Sequence, residues 1–374
     1  MTQGLEELAR RRDPHAEGPL VVDGIPWNRP GRDELRDDVR RALRRGDQTR
    51  ALLLLLGDAD DWWDEPAPPE ADLRRALTAP TLREAAQWLG MGRVGDYFAH
   101  RWSDPTYLAG LGLLQQAWPG RHGTVVEIAC GVGHYLRELA SRGVSGLVGV
   151  DVVYSKLWLA RRFVCPSARY LCLDATQPLP FGDARPESRA DAAAWSRPGR
   201  SGVDLVLCQD AVYFLPQQEQ VVAEMCRVGR TVAVGHAHLP GQPGHPRTAD
   251  EWAALLPGAT VYDDDELTRS VVEGRPPRPG GPYEEAVNLL WRHPTAGPAG
   301  PPADAPDLGL PVEGRPLRVN PLYELGTRRW PNERYAEEYG PRAGYLPSVL
   351  TEADLAERPS AARRRLLLDL PERW

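Results

Sequence analysis

From residue 123 to residue 238 the chain switches, again and again, between short β-branched runs and amphipathic helical patterns. TVVEIA is followed by HYLRELASRG, GLVGVD by SKLWLARRFV, and ARYLCLDA and VDLVLCQD by QQEQVVAEMCRVG and TVAVGHAH. Few folds accept such a pattern. Parallel strands need long crossovers, and a helix is the usual crossover. The alternation predicts a doubly wound, Rossmann-like α/β sheet. Sheets of this kind place ligands beyond the carboxyl ends of their strands, where the strand order reverses.

The rest of the chain divides around that core. Residues 1–120 read as a mostly helical extension or lid, with ELRDDVRRALRRGD continued by TRALLLLLGD. TLREAAQWLGMG opens on Thr81, an N-cap, with Glu84 placed to complete a capping box. DPTYLAGLGLLQQAW is a further helix. The core runs over 121–293 and carries a polar, Pro/Gly-rich insertion at 184–202. Within it, ATVYDDDELTRSVVEG and EEAVNLLWRH fit strand or helix. A Pro/Ala/Gly linker covers 294–309, and an irregular C-terminal extension fills 310–374.

A net charge of −7 over 374 residues speaks against a nucleic-acid partner. Arginine clusters such as RRALRR and ARRRLL sit among acids at helical spacing and read as solvated helix faces. Lys156 is the only lysine, a bias that fits a high-GC bacterial genome. The longest apolar run, ALLLLL, is too short to span a bilayer, and the N-terminus has no signal-peptide pattern, so the expectation is a cytoplasmic protein without a membrane partner. The five cysteines form no CxxC pair, which predicts free thiols and no structural metal.

The first strand ends in Gly131-Val132-Gly133 before a helix. A dinucleotide loop would carry a third glycine where this chain has Leu136, and no GK[ST] follows. The loop therefore favours a ligand without phosphates. Acids mark the strand ends: Glu127 before the loop, Asp151 after the second strand and Asp174 after the third. Asp151 is placed for two ribose hydroxyls. Asp174 can accept from an exocyclic amine of adenine. A nucleoside with a cationic remainder fits, and S-adenosylmethionine is one.

EIACGVG, GVDVVYSKLWLAR, LDATQPLPFGD and VDLVLCQDAVYFLP resemble, in order and spacing, the successive motifs of class I S-adenosylmethionine-dependent methyltransferases, especially the type 11 small-molecule branch. The resemblance covers roughly residues 123–238. It implies that Glu127, Cys130, Gly131 and Gly133 face the methionine end. It places Asp151 on the ribose, Val152 against the adenine face, Asp174 and Ala175 at the adenine edge, and Gln209 near the sulfonium. For Cys130 a packing role competes with that assignment. The family's Pro-Gly-Gly turn is missing; RVGRTVAV has Gly229 alone.

Methyl transfer is an in-line displacement whose catalysis is largely alignment, and a base is needed only if the acceptor must lose a proton. No metal is expected. Position at the strand ends makes His236, His238, Asp210 and Tyr213 the candidates. His134 is expected to shape the methionine end. Tyr97, His100, Trp102 and Tyr107 either line an acceptor wall or pack helices on the sheet. NPLY at 320–323 and the acidic DADDWWDE at 58–65 read as decoys, neither in the context of an amino-methylating motif or a calcium loop. The expected acceptor is a small molecule methylated at O, N or C. The alternatives are a protein or peptide acceptor, and a non-catalytic scaffold subunit. The sequence leaves the oligomeric state open.

Overall fold

The computed structural model describes residues 19–59, 66–184, 202–294 and 303–374. Most of DADDWWDE and of the 184–202 insertion, and half of the 294–309 linker, lie outside the described residues. The main sheet has nine strands: β1 (Leu20–Val22), β2 (Ile25–Asn28), β3 (Thr124–Ile128), β4 (Gly146–Asp151), β5 (Arg169–Leu173), β6 (Val203–Gln209), β7 (Gly229–His238), β8 (Thr260–Asp263) and β9 (Ala286–Arg292). Across the sheet they lie in the order β1-β2-β5-β4-β3-β6-β7-β9-β8. From β2 to β7 all neighbours are parallel; β9 runs antiparallel to β7 and to β8. The order reverses at β3, which is flanked by β4 and β6. The doubly wound sheet expected from the sequence is present.

Alternate residues of these strands feed two cores. Val125, Leu147 and Leu205 join one; Val126, Ile128, Val148, Val150 and Val206 join the other. Burial on both faces explains the unbroken apolar runs. Glu127 interrupts the β3 run as a buried acid inside the strand.

The N-terminal helices α1 (Asp33–Arg44), α2 (Gln48–Leu56), α3 (Glu70–Thr78), α4 (Leu82–Trp88), α5 (Gly92–His100) and α6 (Pro105–Gln116) all pack into the first core. So do α7 (His134–Ser141) and α8 (Tyr154–Leu159). The second face is covered by α9 (Gln218–Val228) and α10 (Ala249–Leu255). Caps fix the helix starts. Thr81 accepts from the Glu84 amide at 3.2 Å, and Asp104 accepts from the Tyr107 amide at 2.6 Å.

Three local expectations change. Residues 20–28 are a hairpin, β1–β2, that extends the sheet beyond β5, so the N-terminal extension is not helical throughout. Asp47 caps a new helix and divides the 34–56 segment in two. The two ambiguous stretches resolve as β8 followed by α11 (Asp264–Glu273), and as β9. No helix among the described residues is long and apolar enough to cross a membrane.

The C-terminal extension contains α12 (Glu333–Tyr339), α13 (Glu352–Ala356), α14 (Arg358–Arg363) and a small core around Leu322, Tyr323, Leu346 and Leu366. It is tied to the rest of the chain by polar contacts. Arg137 donates to Asp369 Oδ1 at 2.8 Å, Tyr345 to the Ser103 carbonyl at 2.8 Å, and the Trp374 indole to the Ala99 carbonyl at 2.6 Å.

Candidate functional site

A cavity of about 850 Å³ opens at the carboxyl ends of β3 to β7. Glu127, Cys130, Gly131, Asp151, Val152, Asp174, Ala175 and Gln209 line one half. Asp210, Tyr213, His236 and His238 line the other. Gly133 is not among the lining residues. It sits behind the loop as the N-cap of α7 with φ +78°, and its role is to shape the turn.

The first half is made by local backbone geometry. Gly131, at φ +54°, turns the chain so that its N–H donates to Asp151 Oδ2 at 2.9 Å. Asp151 Oδ1 accepts from the Val153 amide at 2.9 Å. Each oxygen keeps a second lone pair. Asp174 uses Oδ1 alone, accepting from the Thr176 amide at 2.9 Å and hydroxyl at 2.8 Å. Gly235 matters for a different reason: a Cβ there would lie 1.6 Å from Gln209 Oε1, so only glycine leaves room for that amide. Gln209 Oε1 is buried without a hydrogen bond, while Nε2 donates to the Thr106 carbonyl at 3.4 Å.

Glu127 carries the main electrostatic anomaly of this half. Burial pushes its pKa up to about 8, against the lowering effects of Arg101 and of the Leu136 amide. Its Oε2 has no partner. A buried carboxylate in this condition is costly unless it takes up a proton or a cation arrives. The Cys130 thiol is pushed up by burial, and its Sγ fills the space above Gly149. His134 Nε2 lies 2.9 Å from the Phe98 carbonyl, and its ring meets Trp102 edge-on at 4.4 Å. Burial, then Arg101, lowers its pKa to about 3.

The second half is assembled from distant segments. Asp210 Oδ2 accepts from Tyr97 Oη at 2.7 Å and from Arg101 Nη1 at 2.8 Å. Asp210 Oδ1 accepts from Tyr213 Oη at 2.7 Å. His236 Nδ1 lies 3.1 Å from Asp264 Oδ1. Asp264 also accepts from Asn288 Nδ2 at 3.0 Å and from Arg342 Nη1 at 2.7 Å. Arg342 Nε reaches Glu285 at 2.8 Å. Acids and bases thus alternate through this cluster. Burial opposes a charge on His236, but Asp264 and then Asp210 outweigh it and raise the pKa to about 9. Asp264 is held well below the usual carboxylate range: burial opposes this, and His236 and Arg342 prevail. His238 is lowered to about 4 by burial and then by His236. Its ring stacks on Tyr213 with centroids 3.4 Å apart, and its Nδ1 lies 2.9 Å from the Pro243 carbonyl.

The backbone at these strand ends is strained. Ala129, Asp210 and His236 have φ of +52°, +56° and +50°, and all three line the cavity. Non-glycine residues adopt this region at a cost that gathers at functional sites. His236 also lies in a β-bulge of β7, between Val234 and Ala237, a device that re-aims side chains.

Of the aromatic candidates from α5 and its surroundings, only Tyr97 lines the cavity. His100 meets Trp374 and Tyr335 edge-on; Trp102 and Tyr107 pack against His134 and Tyr135. NPLY is a turn, with Asn320 bonded to the Leu322 amide and the Arg365 carbonyl. Sequence reasoning missed Arg101, Asp264, Glu285 and Arg342. Arg101 lies inside a segment already singled out for its aromatics. Nothing local distinguishes Arg342 among so many arginines. It also missed α12, whose Tyr335, Glu338 and Tyr339 line the cavity.

No protein-family profile matches the chain, and no curated protein matches it. Solved structures do. A possible histamine N-methyltransferase from Thermotoga maritima matches at 14% identity, over 59% of this chain and 97% of that chain, with a TM-score of 0.33. A putative methyltransferase from Bacillus halodurans matches at 17% identity, over 50% of this chain and 99% of that chain, with a TM-score of 0.34. A TehB-like S-adenosylmethionine-dependent methyltransferase from Corynebacterium glutamicum matches at 15% identity, over 49% and 88%, with a TM-score of 0.33. The strand order of this chain has a central reversal at β3 and an antiparallel β9.

Proposed function

We propose that this chain is an S-adenosylmethionine-dependent methyltransferase with a small-molecule acceptor. The observation that carries the reading is Glu127: a buried carboxyl with an unpartnered oxygen, beside the Gly131 turn and in line with acids at the next two strand ends. That set fits the cofactor. Glu127 takes the ammonium of the methionine part. The backbone of Cys130 and Gly131 borders it. Asp151 offers its two remaining lone pairs to the ribose hydroxyls, Val152 lies along the adenine, and Asp174 Oδ2 and Ala175 meet its edge. The Gln209 carbonyl oxygen faces positive charge near the sulfonium. The cofactor, when bound, supplies a methyl carbon already activated for displacement.

The chain's task is then to hold a nucleophile in line. Asp210, Tyr213, His236 and His238 border the acceptor. The Pro243 carbonyl can only accept, so His238 Nδ1 carries the proton and Nε2 keeps its lone pair. His238 is therefore the base for an acceptor hydroxyl or amine, and Asp210 anchors Tyr97, Arg101 and Tyr213 around it. A small acceptor is favoured over a protein because α5, through Tyr97 and Phe98, and α12, through Tyr335, Glu338 and Tyr339, line the cavity.

Calorimetry with S-adenosylmethionine and S-adenosylhomocysteine tests the reading. One molecule of either should bind per chain. Absence of binding for both at millimolar concentration overturns it.

A further inference from the structure

We propose that Asp210, His236 and His238 form a site for one divalent transition-metal ion at the acceptor end of the cavity, with Zn²⁺ and Co²⁺ as suitable occupants. Ligand-capable atoms of the three residues lie within 4.8 Å of one another. Both imidazoles are buried, at 3% and 7% exposure. Each has its Nδ1 next to an acceptor: in His236 it lies 3.1 Å from Asp264 Oδ1 as an ion-pair contact, and in His238 it is 2.9 Å from the Pro243 carbonyl. Metal-binding histidines are oriented in this way, by a carboxylate or carbonyl on the nitrogen away from the ion.

The cavity-side nitrogens have no hydrogen-bond partner among the described residues. His236 Nε2 comes no closer to an acid than 3.9 Å, at Asp210 Oδ1, and 4.0 Å, at Glu285. Asp210 Oδ1 accepts one hydrogen bond, from Tyr213, and a carboxylate oxygen has room for a second partner. Three carboxylates, Asp210, Asp264 and Glu285, surround the site together with two guanidinium groups, Arg101 and Arg342. Two imidazoles and one carboxylate suit Zn²⁺, Co²⁺, Ni²⁺ or Fe²⁺. Mg²⁺ and Ca²⁺ prefer oxygen throughout.

The ion's remaining positions face the cavity, where an acceptor oxygen can bind. An ion seated there takes up the His238 lone pair and in its place polarises that oxygen. The inference rests on side-chain geometry and goes beyond the methyl-transfer reading.

The test uses the full chain stripped with a chelator and titrated with Co²⁺, read by visible absorption, and with Zn²⁺, read by calorimetry. The expected result is one ion per chain at micromolar affinity, not displaced by Mg²⁺. His238→Gln should weaken binding at least about a hundredfold. Asp264→Asn, which loosens the orienting contact, should weaken it by about ten- to a hundredfold. Circular dichroism on the same samples confirms folding, and if one variant fails to fold the other decides. S-adenosylmethionine binding, measured separately, reports on the methyl-transfer reading by itself. No Co²⁺ band and no Zn²⁺ heat at millimolar ion, or binding unaltered in the folded variants, overturns the site.

Discussion

The two halves of the cavity are built by different means. On the Glu127 side, Glu127, Gly131, Asp151 and Asp174 sit on three successive strand ends, and the hydrogen bonds that shape the turn join near neighbours or adjacent strands. On the Asp210 side, Arg101 and Asp210 are 109 residues apart, and Arg342 and Asp264 are 78 apart. The first half is a set of backbone turns with spare acceptors. The second is a buried network of ion pairs. A turn with spare acceptors waits for a ligand; a network of paired charges holds segments of the chain together. Mutations in the first should therefore act on binding, and mutations in the second on stability.

The largest effect is expected from Arg101→Met. It strands the Asp210 carboxylate, whose side chain is 9% exposed, and should cost about 3–5 kcal/mol in denaturant unfolding. A loss below about 1 kcal/mol would place the acceptor half with ordinary surface pairs and dissolve the contrast. Next comes Asp151→Asn, which keeps the side-chain volume but loses the charge and one of the two oxygens that accept from Gly131 and Val153. Cofactor affinity by calorimetry should fall by about ten- to a hundredfold, as expected for hydrogen bonds to a charged group. Unchanged affinity would remove Asp151 from the ribose.

Glu127 gives a pH dependence of definite sign. Its folded pKa, about 8, lies above its ordinary value of 4.5, so the native state holds the proton more tightly than the unfolded chain. Stability of the cofactor-free chain should fall, through this group, as pH rises from 4.5 to about 8, and Glu127→Gln should flatten that slope. A ligand ammonium reverses the preference. Binding near pH 7 should release a proton from the wild type and none from the variant, measured by calorimetry in buffers of different ionisation enthalpy. Equal release from both would detach Glu127 from the cofactor. The smallest effect belongs to Cys130→Ala. A packing thiol should cost about 1 kcal/mol of stability or less and leave cofactor affinity alone. A large drop in affinity would give the sulfur a role in the pocket.

The parallel sheet was legible in the sequence because burial on both faces forces apolar strands, and because helical crossovers leave their own period. The glycine turn and the acids at the strand ends were legible for a related reason: they are spaced by the fold's local repeat. His236 and His238 could be placed by the same logic, as residues at the end of β7. Their different surroundings could not. His236 meets Asp264 and His238 meets Pro243 only after the chain beyond β7 has folded back. The aromatics of the 95–111 segment illustrate the limit. Tyr97 enters the cavity, while Trp102 and Tyr107 turn to the core, and residue type alone does not separate them.

By itself, then, the sequence determined a doubly wound sheet with a glycine turn and acidic strand ends at its reversal point, because periodicity and turn chemistry act over a few residues. Only the tertiary structure decided which charges meet at the acceptor end, and that a C-terminal helix and Arg342 close it. Contacts across scores of residues carry no local signature. They exist because burying a charge without a partner is too costly, and the fold chooses the partner.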